Sequence, residues 1–122
     1  MSWNGSASVY LSSRKKFDKL VDYLSNKLDE DKEIGQNETF QLCASVGLQI
    51  DKRKDIEPRD WVTKVSNIDK DDIIQTLIKL KYPDRSESEQ IKLMAKHAEA
   101  GLHKILKDIE ETGTFHYHEF IE

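Results

Sequence analysis

Two groups of residues in this 122-residue chain have the types and spacing that chemistry needs. The first is His116-x-His118, with Glu119 adjacent. In an extended strand successive side chains alternate, so both imidazoles would project from one face and could form half of a metal site. A complete site needs further ligands, and the other histidines are His97 and His103. Six residues apart on a helix, those two lie about 120° out of line and cannot easily meet one ion. The plainer reading makes His116 and His118 the polar side of an alternation with Phe115 and Tyr117. On that reading the chain carries no metal and no cofactor, and a metal-dependent enzyme built on His116 and His118 is the least favoured alternative.

The second group is basic. Lys52-Arg53-Lys54 is followed by Arg59 and Lys64, with Trp61 between them. Cations supply the salt-sensitive part of nucleic-acid binding, and an aromatic ring can stack on an exposed base. Asp51, Asp55, Glu57 and Asp60 interleave with these residues and dilute their field. The segment is therefore either an ordinary charged loop or a contact surface for nucleic acid or an acidic protein, formed by Lys52, Arg53, Lys54, Arg59, Trp61 and Lys64. A second basic stretch, Arg14, Lys15, Lys16 and Lys19, crowds the start of the first predicted helix. This reverses the preference of the helix dipole and reads as a solvated face or as a site for a phosphate or acidic partner.

Catalytic signatures are missing: there is no phosphate-binding glycine loop, nucleophile elbow or H-E-x-x-H pair. Cys43 sits among Phe40, Leu42, Ala44 and Val46, where a small buried hydrophobe is expected rather than a thiolate. No catalytic residue is assigned, and a non-enzymatic protein is expected.

Composition narrows the class. Hydrophobic residues make up 37% and charged residues 34% of the chain, which suits amphipathic helices with solvated outer faces. A net charge of -4 argues against a strongly basic binder, though not against a local basic patch. One cysteine excludes an internal disulfide and fits a reducing, cytoplasmic compartment. No run approaches the roughly 20 apolar residues of a membrane span. The start of the chain has no apolar stretch long enough for a signal peptide.

The elements that must position these groups are helices. Residues 1–11 are expected to be a flexible lead-in and 12–122 a single all-α domain of four principal helices. The first runs from Ser12 or Ser13 to Asp29, with Phe17, Leu20, Val21, Leu24 and Leu28 as its apolar stripe. The second runs from Asn37 to Val46 and is stopped by Gly47; its small residues predict close approach by a neighbouring helix. An extended piece at Leu48–Ile50 and an irregular segment follow, in which Pro58 opens a short helix at Arg59–Lys64 that turns Trp61 inward. Asp69 caps the third helix, whose apolar side carries Ile73, Ile74, Leu77, Ile78 and Leu80. The clearest helix is Ser86–Glu111, opened by the capping box Ser86-x-x-Glu89 and stopped by Gly113. Its Ala95, Ala98 and Gly101 predict a close-packed seam. An apolar tail containing Phe115, Tyr117, Phe120 and Ile121, extended at 114–117, closes the chain.

With these elements placed, three stretches show a resemblance. The run Thr39-Phe-Gln-Leu-Cys-Ala-Ser-Val-Gly47 leads into Lys52-Arg53-Lys54. Later come Ala95-Lys-His-Ala-Glu-Ala-Gly-Leu-His-Lys-Ile-Leu106 and the ending Glu119-Phe-Ile-Glu122. The order resembles small helical proteins associated with bacterial DNA-phosphorothioation (Dnd) defence systems, over roughly Thr39 to Glu122. The resemblance implies a role linked to DNA modification or anti-phage defence and supplies no catalytic residues. The leading expectation is a cytoplasmic accessory or binding protein that contacts DNA or a protein partner. A protein-interaction or homo-oligomerisation module using Phe120 and Ile121 is the alternative.

Overall fold

The computed structural model describes residues 3–27, 35–57, 59–68 and 73–113. In order, the elements are β1 (Ser8–Leu11), α1 (Arg14–Lys27), α2 (Gln36–Gln49), β2 (Asp60–Lys64), α3 (Val65–Ile68), α4 (Ile73–Lys81) and α5 (Glu87–Thr112). The four expected helices are α1, α2, α4 and α5. The fold is mostly helical, and the all-α expectation is corrected by a small antiparallel sheet of β1 and β2. The chain runs strand–helix–helix twice, β1-α1-α2 and then β2-α4-α5 with α3 intervening. The strands pair with each other, and the second helices, α2 and α5, pack together.

Helix α5 is the scaffold, and its ends are built from local chemistry. The Ser86 hydroxyl accepts from the Glu89 amide and donates to the Glu89 carboxylate. Gly113, at φ 79°, ends it in the left-handed conformation that a side chain would strain. Its most extensive packing is on α2, and it also touches β1, α4 and α1. Of the seam expected from the small residues, Gly101 and Ala98 are buried, as are Cys43, Ala44 and Gly47 of α2, whereas Ala95, also buried, lies on the side of α5 toward β1. A methyl group on Gly101 would overlap the Cys43 carbonyl, and one on Gly47 would overlap the His97 carbonyl. The backbones therefore cross almost in contact, which only glycine permits at these two positions.

This crossing explains a correction. Gly47 is a close-approach residue inside α2, which continues through the supposed extended piece to Gln49. The helix is ended by Asp51, which takes φ 54°; aspartate is among the few non-glycine residues that tolerate this region. The Lys52 amide then donates to the Gly47 carbonyl at 3.0 Å.

The lead-in is also corrected over its described part. Trp3 is buried; its amide donates to Gln75 Oε1 at 2.7 Å and its indole to Gln90 Oε1 at 3.1 Å. These bonds explain two buried amide side chains, on α4 and α5, that the apolar pattern alone does not. Val9 and Leu11 alternate into the core from β1, and the strand's four residues are too short a signal to read from sequence.

Strand β2 replaces the short helix expected at Arg59–Lys64. Trp61-Val-Thr is a run of aromatic and β-branched residues that suits a pleated, half-buried surface. Val62 and Thr63 are buried, whereas Trp61 is 48% exposed and faces out. Tyr10 pairs with Trp61 and Ser8 with Lys64, with an irregularity between Val9 and Tyr10.

Helix α1 buries Phe17, Leu20 and Leu24. The carboxylate its first turn lacks arrives from β2: Asp60 Oδ2 accepts from the Arg14 amide at 3.0 Å. The Arg14 guanidinium bonds the Val62 carbonyl at 2.8 Å and Gln36 Oε1 at 2.7 Å, clamping α1 to β2 and α2. Helix α4 buries Ile74 and Ile78, whereas Ile73, Leu77 and Leu80 of its expected apolar side are exposed. Among the described residues no helix is long and apolar enough to cross a membrane.

Candidate functional site

The expected basic surface is divided by the fold. Lys52 closes the end of α2 through its amide. The Arg53 guanidinium lies 5.8 Å from the Tyr82 ring centre, beside the Lys81–Asp51 ion pair at 2.6 Å. That ion pair holds the Asp51 carboxyl below the usual carboxylate range, chiefly through its hydrogen bond to Lys81. Arg59 stacks 4.3 Å over the Tyr10 ring, and Trp61 and Lys64 are exposed on β2.

Lys54 goes elsewhere. Its amide donates to the Lys96 carbonyl at 3.0 Å, tying the chain after α2 to the side of α5. It thereby reaches a groove of about 550 Å³ between α1 and α5, lined also by Lys16 and Lys19 of α1 and by His103 and Lys107 of α5. Leu106 and Ile109 supply an apolar floor, and Glu110 is the sole carboxylate among the lining residues. Lys16, Lys19 and Lys54 form no ion pair among the described residues; Lys107 approaches Glu111 at 4.0 Å on the exposed surface.

Helical spacing accounts for the parts of this cluster that α1 and α5 supply. Lys16 and Lys19 are three apart on α1, and His103 and Lys107 are four apart on α5, so each pair shares a face. Lys16 and Lys19 stand out in the sequence as part of a basic helix start. Lys107 does not, because it belongs to alternating charges on a solvated helix face.

His103 is held in place by a buried partner. Its Nε2 lies 2.7 Å from Glu99 Oε2, and Glu99 is 1% exposed. The other Glu99 oxygen accepts from the Ser12 amide at 2.8 Å, so this buried carboxylate is hydrogen-bonded through both oxygens. Glu99 fixes His103 at the groove wall and ties the end of β1 to α5.

His97 and Cys43 belong to the interior. His97 Nδ1 lies 3.3 Å from the Gly47 carbonyl, which can only accept, so that nitrogen carries the proton. Nε2 is then the acceptor for the Tyr82 hydroxyl at 2.7 Å. Burial pushes the His97 pKa down, consistent with a neutral ring satisfied on both sides. The Cys43 thiol is fully buried, and desolvation drives its pKa well up. His116, His118, Phe120 and Ile121 lie outside the described residues.

Comparison of the chain with protein-family models, curated proteins and solved structures found no match.

Proposed function

We propose that this chain is a non-enzymatic accessory protein that binds a polyanion, nucleic acid foremost, in the groove between α1 and α5. One observation carries the reading: three separate segments deliver Lys16, Lys19, Lys54 and Lys107 to one concave surface with a single carboxylate on its lining. Clustered like charges repel one another in the free protein, and phosphates relieve that repulsion while releasing their own counterions. The resemblance to Dnd-associated proteins supports a role beside DNA modification or anti-phage defence in the cytoplasm. DNA is accordingly the first ligand to test.

The test is fluorescence anisotropy with labelled duplex and single-stranded DNA, from low to moderate salt. Engagement of three or four lysines gives a slope of about −2.7 to −3.6 for log K against log salt on duplex DNA, and a shallower one on single strands. The K16E/K19E/K54E variant should lose at least a hundredfold in affinity. No binding at low salt sinks the proposal. Full binding by this variant, with loss in Trp61→Ala, would move the contact to the exposed face of β2.

A second reading rests on Ile73, Leu77 and Leu80, which are exposed on α4 at i, i+4 and i+7. Such a stripe suits a protein-interaction or oligomerisation module. Sedimentation of a monomer at high protein concentration would count against self-association.

A further inference from the structure

We propose that the cleft between β1 and the first half of α5 binds an extended, acidic peptide segment of a protein partner, which adds to β1 as a third strand. Among the described residues the sheet has two strands, so within them β1 is paired along one edge only. Backbone geometry shows where its other edge points. The Val65 amide donates to the Ala7 carbonyl at 3.0 Å, so Ala7, and with it Val9, directs backbone groups toward β2. Backbone groups alternate along a strand, so the amides and carbonyls of Ser8 and Tyr10 point the other way. Ser12 shares their parity, and its amide meets Glu99 of α5. The unpaired edge of β1 therefore faces α5.

Between the two lies a cleft of about 510 Å³. Ala7 to Tyr10 form one wall, and Ile91 and Ala95 stand on the helix side. The four residues of β1 offer about 13 Å of edge, enough for about four residues of an extended chain. Main-chain hydrogen bonds to Ser8 and Tyr10 would set register, and alternate side chains would enter the cleft above Ile91 and Ala95.

Charge selects the occupant. Arg59, Lys92 and Lys96 line the cleft, with Glu87 as the one acidic lining residue. Lys96 already approaches Asp55 at 3.4 Å, but that aspartate is 91% exposed and easily displaced by a better-placed carboxylate. The surplus is cationic and fits Asp or Glu on the peptide. Helix α5 walls the edge, which suits a single extended chain better than the edge strand of a second folded copy.

The experiment selects binders from a random octapeptide library on the full chain, followed by affinity and amide-exchange measurements with the enriched peptides. Acidic, proline-poor peptides should emerge and slow exchange at the Ser8 and Tyr10 amides. Ser8→Pro removes a donor on the unpaired edge while sparing the β2 ladder. It should abolish binding, whereas Ser8→Ala should not. K92E/K96E should weaken binding at least tenfold, and it decides the matter if Ser8→Pro fails to fold. The K16E/K19E/K54E variant should bind these peptides normally, which separates this site from the polyanion groove. No enrichment, equal affinity for folded Ser8→Pro or for K92E/K96E, or protection confined to other amides would overturn the proposal.

Discussion

Helix α5 is used in opposite ways on its two sides. Toward α2 it presents His97 and Gly101, in a dry seam where its backbone nearly touches that of Gly47 and Cys43. Toward α1 it presents His103 and Lys107 to an open, cationic groove. Gly101 and Lys107 are six positions apart on one helix, yet their tolerance of change should differ completely. Packing constrains shape on the seam, where a methyl group has no space. Solvent constrains little in the groove, where charge can be altered at small cost to the fold.

The comparison breaks most decisively at Leu102, which has no exposed surface. Leu102→Asp places an unpaired charge in the core and is expected to cost more than about 4 kcal/mol, enough to unfold many domains of this size. Circular dichroism and melting that match the parent would show that the core is placed wrongly. Gly101→Ala comes next: the added methyl meets the Cys43 carbonyl, and separating the helices should cost about 3 kcal/mol. Urea denaturation checks it, and an effect below about 1 kcal/mol would mean that the seam is looser than described.

The groove supplies the contrasting case. K16E/K19E/K54E changes three exposed side chains and should move stability by no more than about 1 kcal/mol in all, even as it abolishes polyanion binding. A large loss of stability would make the groove part of the structural core. The smallest expected effect belongs to His97. Its pKa is lowered by burial, so between that value and the ordinary histidine value near 6.5 the unfolded chain binds more protons than the folded one. Stability is full above about pH 6.5 and declines as pH falls through that window. His97→Gln should flatten this part of the stability–pH profile, measured by denaturation at several pH values between 5 and 8.

The long helices were legible because their signals are local and redundant. Ser86 and Glu89 cap α5, Gly113 stops it, and the apolar spacing between them marks its inner face. The seam was legible too, since small residues on both helices have little other reason to recur. Strand β1 was not, because Val9 and Leu11 provide only two turns of alternation before α1 begins. Gly47 read as a stop, whereas the approach of His97, fifty residues away, made it a packing residue. Trp61 read as a core residue because sequence alone does not say which face of a short element is covered. Of the expected contact surface, only Lys54 joins the groove, and its partners come from α1 and α5.

Sequence by itself determined where the four principal helices run and which small residues let two of them meet. Caps, periodicity and residue size act within a few positions of the chain. Only the tertiary structure decided that Asp60 supplies the charge α1 lacks, that Glu99 orients His103, and that Lys16, Lys19, Lys54 and Lys107 share one groove. Electrostatic fields and hydrogen bonds act through space, and residues far apart in the chain become neighbours only when the core brings their elements together.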